Sequence, residues 1–456
     1  MRRFSFLLIV FGVFGALLPV RGEAPDSVSY EGRMYVSLGA LVSPGFLNGT
    51  YGSPHRSRDM VVKFEGRSLA FEDGGERVRV GLDQMVNLQH PVVVYEGECF
   101  VGAEECAPLF GYKVIAQPGM ALVYGERKLT LKPRKIDSEF RTHRVSDLKV
   151  IRREAWVTNP PLEVRGSLLP GAKAEGLPGR TLLAATRSLV VDGVTQFLVV
   201  DCDSLETYLV AQKDFESRTQ GRKPGKTSFD NAKANLPTFA TSECLGLIHG
   251  PRERLPQTVS LTLDMCWSLR DIETEFFFSL PEIARARGGK VWPVVFVTGR
   301  WMEQHPGDMD RLIRLSQRPE VVIIWGNHSW VHPKDYDFMN DFSPEELEAD
   351  TLRTESLMLE YGIVPTVYYR FPGLIHDEAH LGKILELDLL PIDCESWMSA
   401  IGSNQPPSRV PPRDGSILLL HGNGNEHSGI TVMNDWLTSN PTWKFGPLNE
   451  FVAPEE

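Results

Sequence analysis

The alternation of short apolar runs with helical patterns in residues 245–456 constrains the fold more than any other feature of the chain. The runs are VSLTL (259–263), VVFVTG (294–299), VVIIW (321–325), TVYYR (366–370), LLPI (389–392) and SILLL (416–420). One helical stretch, residues 343–361, has Ser343 as its N-cap, Pro344 at its first position and Glu346 three residues after the cap, which are standard start signals. Strands that alternate with helices form a parallel sheet buried on both sides. The sequence therefore predicts an α/β domain, and we expect a barrel.

Polar residues follow the carboxyl ends of several of these runs. Asp264 follows VSLTL, His328 and His332 come shortly after VVIIW, Arg370 ends TVYYR and His421 follows SILLL. Barrel enzymes build their sites at the carboxyl ends of strands, so we expect these side chains to converge. A carboxylate, three histidines and an arginine on one face are the groups that a metal-assisted hydrolase uses.

Each of these residues, taken alone, also has a purely structural interpretation. Asp264 could cap a helix after a strand, and Arg370 could form a structural salt bridge. His421 could be a satisfied interior histidine, since histidine is often partly buried. His328 and His332 could be polar residues of a surface loop. The functional interpretation therefore depends on the presence of all five residues and on their order along the chain.

The order of these motifs resembles that of the polysaccharide deacetylases, the NodB-homology domain of carbohydrate esterase family four. That family carries Thr-Phe-Asp-Asp-Gly, His-Ser/Thr-x-x-His-Pro, Arg-x-Pro, an Asp/Trp motif and Leu-x-His. The counterparts in this chain are TLDMC (262–266), HSWVHP (328–333), RFP (370–372), DCESW (393–397) and LLH (419–421). The resemblance covers roughly residues 245–435.

The resemblance implies a distorted (β/α) barrel and a divalent metal, usually zinc, that assists removal of acetyl groups from sugars. It makes His328 and His332 metal ligands, and imidazole suits zinc. Asp264 becomes the general base, and Arg370 holds it ionised and oriented. His421 then protonates the departing amine.

Two positions depart from the family pattern. Met265 stands where the family has the aspartate that serves as third ligand, and Ser396 precedes Trp397 where the family has another aspartate. We expect Trp397 to contact the substrate. Three accounts of the metal site stay open: Asp264 is itself a ligand, water or another side chain such as the adjacent Cys266 completes the site, or catalysis is lost and a sugar-binding groove remains.

The N-terminal half divides into smaller units. Residues 1–24 combine a basic start, an apolar core and small residues, the pattern of a secretory signal peptide. In residues 25–135 the stretch YEGRMYV (30–36) recurs loosely as YEGECFV (95–101). This β-rich duplication resembles the copper amine oxidase N-terminal-like domain, from which we infer neither copper nor amine oxidation.

Two further segments precede the α/β domain. Short strand patterns separated by turns in residues 148–215 predict a small β-barrel, faintly similar to bacterial SH3-like modules. The polar, turn-rich residues 216–244 indicate a linker to a polysaccharide deacetylase-like domain at 245–456. The six cysteines are too few for a disulfide framework and contain no CxxC, which argues against a zinc site built mainly on cysteine.

These features predict a secreted or cell-envelope, metal-dependent deacetylase that acts on the N-acetyl groups of an envelope aminosugar polymer such as peptidoglycan. The formal net charge of −11 argues against nucleic acid as the main partner. No second apolar run is long enough to span a membrane once the signal peptide is removed. The alternative is a catalytically impaired glycan-binding or scaffold protein; hydrolysis of a non-sugar carbon–nitrogen bond ranks last.

Overall fold

The computed structural model describes residues 25–52, 59–72, 75–81, 84–116, 120–158, 161–221, 227–235, 255–333, 342–399 and 408–452. The signal peptide predicted at residues 1–24 lies outside this part of the chain. Within it, no helix has both the length and the apolar character needed to cross a bilayer.

In the first β-rich region, the described residues form thirteen short strands and two one-turn helices. They are β1 (Ser27–Tyr30), β2 (Arg33–Ser37), α1 (Leu38–Leu41), β3 (Thr50–Gly52), β4 (Met60–Phe64), β5 (Arg67–Glu72), β6 (Arg77–Val80), β7 (Gln84–Asn87), β8 (Val93–Tyr95), β9 (Glu98–Gly102), α2 (Ala107–Phe110), β10 (Lys113–Ile115), β11 (Ala121–Tyr124), β12 (Arg127–Thr130) and β13 (Arg134–Lys135).

The sequence echo in this region corresponds to a repeated hairpin. The β1–β2 and β8–β9 hairpins both turn through a Glu-Gly pair with positive φ, 49° and 76° at Glu31 and Gly32, and 52° and 82° at Glu96 and Gly97. Positive φ at both central residues is the geometry that suits the twist of a two-residue hairpin. A one-turn helix follows each hairpin, and β2 pairs antiparallel with β9 in a single sheet.

The second region is also mainly β. Its elements are β14 (Val145–Val157), β15 (Leu162–Val164), β16 (Glu175–Leu177), β17 (Leu182–Val191), β18 (Val194–Asp201), β19 (Thr207–Ala211), α3 (Gln212–Arg218), β20 (Thr219–Gly221) and α4 (Ser228–Asn235). Five of the strands form an antiparallel sheet in the order β19-β18-β17-β14-β20. The segment predicted as a linker thus includes the end of α3, the paired strand β20 and helix α4, while residues 236–244 lie outside the described part.

The C-terminal region alternates strands with helices. Its elements are β21 (Thr258–Met265), α5 (Thr274–Ala286), β22 (Val294–Val297), α6 (Gly299–Gln304), α7 (Pro306–Ser316), β23 (Ile324–Asn327), α8 (Pro344–Glu360), β24 (Tyr368–Tyr369), a 3-10 turn (Pro372–Leu374), α9 (Glu378–Glu386), β25 (Leu390–Pro391), β26 (Ser396–Ser399), β27 (Ser408–Val410), β28 (Ile417–His421), α10 (His427–Ser439), β29 (Lys444–Phe445) and α11 (Asn449–Val452).

One nine-stranded sheet contains all the described strands of this region, in the order β25-β24-β23-β22-β21-β28-β26-β27, with β29 paired to β21. Every pairing is parallel except that of β26 with β27. The prediction of an α/β domain is confirmed. The described strands form an open sheet, because no ladder among them joins β25 to β27.

The local signals that predicted these elements have physical counterparts. Each of the six apolar runs overlaps a strand, although β23 begins only at Ile324, three residues after the start of its run. Helix α8 begins where predicted: the Ser343 side chain accepts from the Glu346 backbone N–H, and the Glu346 side chain accepts from the Ser343 backbone N–H. This capping box satisfies two of the N–H groups that a helix start leaves without partners.

The sheet is buried on both faces. Alternate residues of its central strand β21, such as Leu261, Leu263 and Met265, join a cluster with apolar side chains of α5, α7 and α10. Phe296 and Leu419, on the neighbouring strands β22 and β28, belong to a second cluster. Because strand side chains alternate, the remaining residues of β21 face away from the first cluster.

Candidate active site

The end of strand β21 places two polar side chains on one face. Asp264 and Cys266 are 4% and 2% exposed, and they alternate with Met265. Met265 packs in the apolar cluster with Phe277, and a Cβ added at Gly422 would lie 2.8 Å from its sulfur. The position aligned with the family's ligand aspartate therefore contributes to the core.

Arg370 binds the Asp264 carboxylate directly. Its Nη1 lies 2.7 Å from Asp264 Oδ1 and donates to Thr262 Oγ1 at 2.6 Å. Its remaining groups donate to the carbonyl oxygens of Ile392 and Asp393, at 3.3 and 2.9 Å. Burial alone would raise the pKa of Asp264, but Arg370, His328 and His421 together outweigh it and hold that pKa below its ordinary value. The carboxylate is thus ionised, with Oδ1 held by the guanidinium.

His328 and His332 lie on the loop that follows β23. The His328 ring has Nδ1 2.8 Å from the Arg370 carbonyl oxygen, and the two imidazole rings lie 4.8 Å apart at 75°. Ser329 and His332 have positive φ values of 69° and 47°, and the His332 N–H donates to Ser329 Oγ at 3.0 Å. Positive φ in a residue other than glycine costs of order 1–3 kcal/mol, so the surrounding structure must impose this loop conformation.

The Asp350 carboxylate of α8 is one group that holds the loop. It accepts hydrogen bonds from the backbone N–H groups of Trp330, at 2.6 Å, and Val331, at 3.3 Å. Arg353, on the same helix, stacks its guanidinium on the Trp330 ring, 3.6 Å from the centroid. Contacts from α8 therefore hold the centre of this loop, between the two histidines.

Cys266 completes a buried cluster with these histidines. Its Sγ lies 3.7 Å from His328 Nε2, and ligand atoms of Cys266, His328 and His332 lie within 4.8 Å of one another. Burial would raise the pKa of the Cys266 thiol, but the nearby His332 and His421 lower it to about 6. One thiolate and two imidazoles form a donor set that suits zinc.

The sequence indicated Cys266 only weakly, as one residue that might complete the site. The strand alternation that puts Met265 in the core also returns Cys266 to the face that carries Asp264. The Asn423 side-chain amide donates to the Cys266 carbonyl at 2.8 Å and fixes the strand end. This alternation at the end of β21 was the signal that could have identified the residue.

His421 lies at the end of β28, directly beside Asp264 in the parallel ladder. Its Nδ1 is 2.8 Å from Glu426 Oε2, and both side chains are nearly buried. Burial alone would lower the pKa of His421, but the negative charges of Glu426 and Cys266 raise it well above its ordinary value. Sequence reasoning missed Glu426, which lies in the loop after the strand.

The segment expected to supply a second aspartate has a different arrangement. Ser396 Oγ donates to the Pro411 carbonyl at 3.2 Å, while Asp393 Oδ1 accepts from the Cys394 N–H at 2.6 Å. Trp397 is partly buried against the apolar cluster that includes Leu419. Its role as a substrate contact stays a prediction.

The N-terminal β-rich region contacts the loop that follows Cys266. Leu269 is 3% exposed and belongs to the apolar cluster of that region, where its carbonyl accepts from the Cys99 thiol at 3.3 Å. A Cβ added at Gly75 would lie 3.2 Å from Leu269 Cδ2. Arg300, in the helix after β22, forms an ion pair with Glu76. The first β-rich region therefore packs against the loop after Cys266 and pairs with the helix after β22.

The α/β region places a carboxylate bound by arginine beside a Cys-His-His cluster at the ends of its strands. This is the organisation of a metal-assisted hydrolase. Residues 252–390 match the model of the polysaccharide deacetylase family. The matched family is that of the polysaccharide deacetylases, hydrolases that act on carbon–nitrogen bonds other than peptide bonds, and the match lies in the α/β region that carries these side chains.

Solved structures with some similarity include the peptidoglycan N-acetylglucosamine deacetylase Bc1960, with 18% identity over 45% of this chain and 91% of that one, at a TM-score of 0.34. The carbohydrate esterase family four pseudoenzyme BA3943 from Bacillus anthracis has 14% identity over 64% and 90%, at 0.36. The chitin deacetylase of Colletotrichum lindemuthianum has 20% identity over 46% and 91%, at 0.33.

Proposed function

We propose that this protein is a metal-dependent deacetylase that hydrolyses the N-acetyl groups of an envelope aminosugar polymer such as peptidoglycan. One observation carries the proposal: the buried Asp264–Arg370 pair lies directly beside His328, whose Nε2 is 3.7 Å from Asp264 Oδ2. The family match over residues 252–390 supports the same reaction class.

His328 and His332 are the residues that would hold the metal, and zinc fits the buried donor set. Bound there, a divalent ion would lower the pKa of water and stabilise negative charge on the substrate carbonyl oxygen. The Arg370 carbonyl accepts from Nδ1 of His328, which leaves Nε2 as the ligating nitrogen.

Asp264 is suited to accept a proton from attacking water. Arg370 binds Oδ1 and keeps the carboxylate ionised, while Oδ2 faces His328. His421, with its raised pKa, is suited to protonate the amine that departs from the carbonyl carbon. Glu426 stabilises the protonated imidazole and takes the place of the aspartate missing before Trp397.

We further propose that residues 1–24 direct export and that the mature chain works outside the cytoplasm, where an envelope polymer is accessible. The β-rich units at 25–135 and 148–215 would then bind or position that polymer. The central sheet of residues 245–456 would correspond to the distorted barrel that the family resemblance implies. Trp397, which is partly buried, would contact a sugar ring.

The test is acetate release from peptidoglycan by the full chain and by His332→Ala. The variant should retain the circular dichroism of the parent and lose activity, because it removes a ligand outside the Asp264–Arg370 pair. His143→Ala is the matched control, because this histidine contacts Asp192 in the second β-rich region and should leave activity unchanged. Activity that survives His332→Ala would refute the metal mechanism. Saturable glycan binding by a parent that releases no acetate would support the scaffold alternative.

A further inference from the structure

We propose that Cys266 supplies the third protein ligand, as a thiolate, so that the metal site is Cys-His-His in place of the family's carboxylate-containing set. The inference deepens the proposed function, since it concerns the same pocket. The family resemblance leaves the third-ligand role unfilled, because Met265 stands where the family has an aspartate. The proposal gives that role to Cys266.

The distances in the cluster fit a shared tetrahedral ion. Ligand bonds of about 2.3 Å to sulfur and about 2.0–2.1 Å to nitrogen, at a tetrahedral angle, place the two donor atoms about 3.6 Å apart. Cys266 Sγ and His328 Nε2 are 3.7 Å apart. The third donor, on His332, completes a group whose members lie within 4.8 Å. An ion could therefore bind without a large backbone movement.

The histidines are oriented for such an ion. His328 is 1% exposed, and its Nδ1 is bound to the Arg370 carbonyl, so Nε2 is the nitrogen turned toward Cys266. His332 is 3% exposed, and its Nδ1 has no hydrogen-bond partner within the described part of the chain. A buried polar atom without a partner is unfavourable, and metal ligation would orient this ring.

The other candidates for third ligand fit less well. Met265 is held in the apolar core beside Phe277, so its sulfur faces away from the histidines. Asp264 has Oδ1 bound to Arg370. Its Oδ2 lies 3.7 Å from His328 Nε2, but among the described residues Asp264 is not part of the group whose ligand atoms all lie within 4.8 Å of one another. Thiolate and imidazole together select zinc or cobalt over magnesium or calcium, which prefer oxygen ligands.

Cobalt(II) titration of the metal-free full chain tests the assignment, because a thiolate bound to cobalt gives a near-ultraviolet charge-transfer band that carboxylate and imidazole do not give. The parent should bind one equivalent and show the band. Cys266→Ala should lose the band and bind more than about tenfold more weakly, since even changes behind the ligands cost that much. Cys266→Asp, which restores a carboxylate, should bind cobalt without the band.

Cys394→Ala is the matched control, because Cys394 is another buried thiol of the same domain and should leave the band intact. Stoichiometric binding without the band, unchanged in Cys266→Ala but lost in His332→Ala, would refute the thiolate ligand while the proposed metal-dependent function stands. No binding by the parent would overturn both. A band that persists in Cys266→Ala and disappears in Cys394→Ala would also refute the assignment.

Discussion

Replacement of Arg370 by methionine should destabilise the protein strongly, and simultaneous replacement of Asp264 by asparagine should recover part of that loss. Arg370 has no exposed side-chain surface, and its guanidinium stacks 4.3 Å from the centre of the Phe296 ring. Arg370→Met removes the partner of a buried carboxylate. Breaking one partner of a buried ion pair in this way costs about 3–5 kcal/mol.

The double variant separates this charge effect from simple loss of packing. Asp264→Asn with Arg370→Met leaves no buried charge in the pair, so the two changes should couple by about 2–3 kcal/mol in the compensating direction. The double variant should release no acetate, because an amide at position 264 cannot accept a proton. Arg370→Met should also lose acetate release, because Asp264 then lacks the guanidinium that binds Oδ1 and keeps it ionised. The assay is urea unfolding of chelator-treated protein, monitored by tryptophan fluorescence, beside acetate release.

An exposed ion pair of the same chain provides the control. Arg153 Nη1 lies 3.1 Å from Glu216 Oε1, with both side chains nearly half exposed, so Arg153→Met should cost less than about 1 kcal/mol. If Arg370→Met lost no more stability than Arg153→Met, the Asp264–Arg370 pair would not be the buried, tightly coupled unit described here. With Asp264→Asn as the other single variant of the cycle, a double-variant loss equal to the sum of the two single losses would refute the coupling.

Two further predictions concern the supports of the site. Burial raises the pKa of Asp350 from 3.8 to about 6, so the folded state keeps a proton that the unfolded state loses between pH 4 and 6. Stability from this group is present below pH 4 and falls by about 3 kcal/mol in all as pH rises through 6, of which about 2 kcal/mol lies between pH 4.5 and 7. Asp350→Asn should remove that part of the fall in unfolding free energies from urea titrations at these two pH values. An unchanged difference between the two free energies would contradict it. Leu269→Ala should lower the free energy of unfolding by about 2–5 kcal/mol, measured by thermal unfolding, because Leu269 packs in the core of the first β-rich region. It should also reduce acetate release, because this contact anchors the loop after Cys266. Full activity would show that the contact does not position the loop.

The central part of the fold was predictable because its signals are local. The apolar runs became strands of one sheet, and the signals at Ser343 and Glu346 mark the observed start of α8. The convergence of Asp264, Arg370 and His421 follows from a general property of parallel sheets, whose carboxyl ends share one edge. Spacing along the chain was enough to bring these residues together.

The contacts that sequence reasoning missed are long-range or depend on one step of strand geometry. Cys266 joins the histidines only because alternation along β21 turns Met265 into the core, and a single cysteine in a sequence does not specify its partners. Glu426 reaches His421 through the turn after β28. Leu269 packs into a domain whose core lies far away in sequence, so no local pattern could indicate that contact.

The energetic cost of the site argues that it binds a ligand. A buried ion pair such as Asp264–Arg370 can often be replaced by apolar residues without loss of stability, so stability alone does not account for it. Ser329 and His332 add backbone conformations that cost of order 1–3 kcal/mol each, and Asp350 must lose solvation to hold their loop. These costs fall on one cluster of buried side chains, which includes two histidines and a thiol whose ligand atoms lie within 4.8 Å of one another. Under the proposed function, Cys266 would replace the missing ligand and Glu426 would replace the missing partner of His421. Replacement at both positions would favour a working variant site over a decayed one.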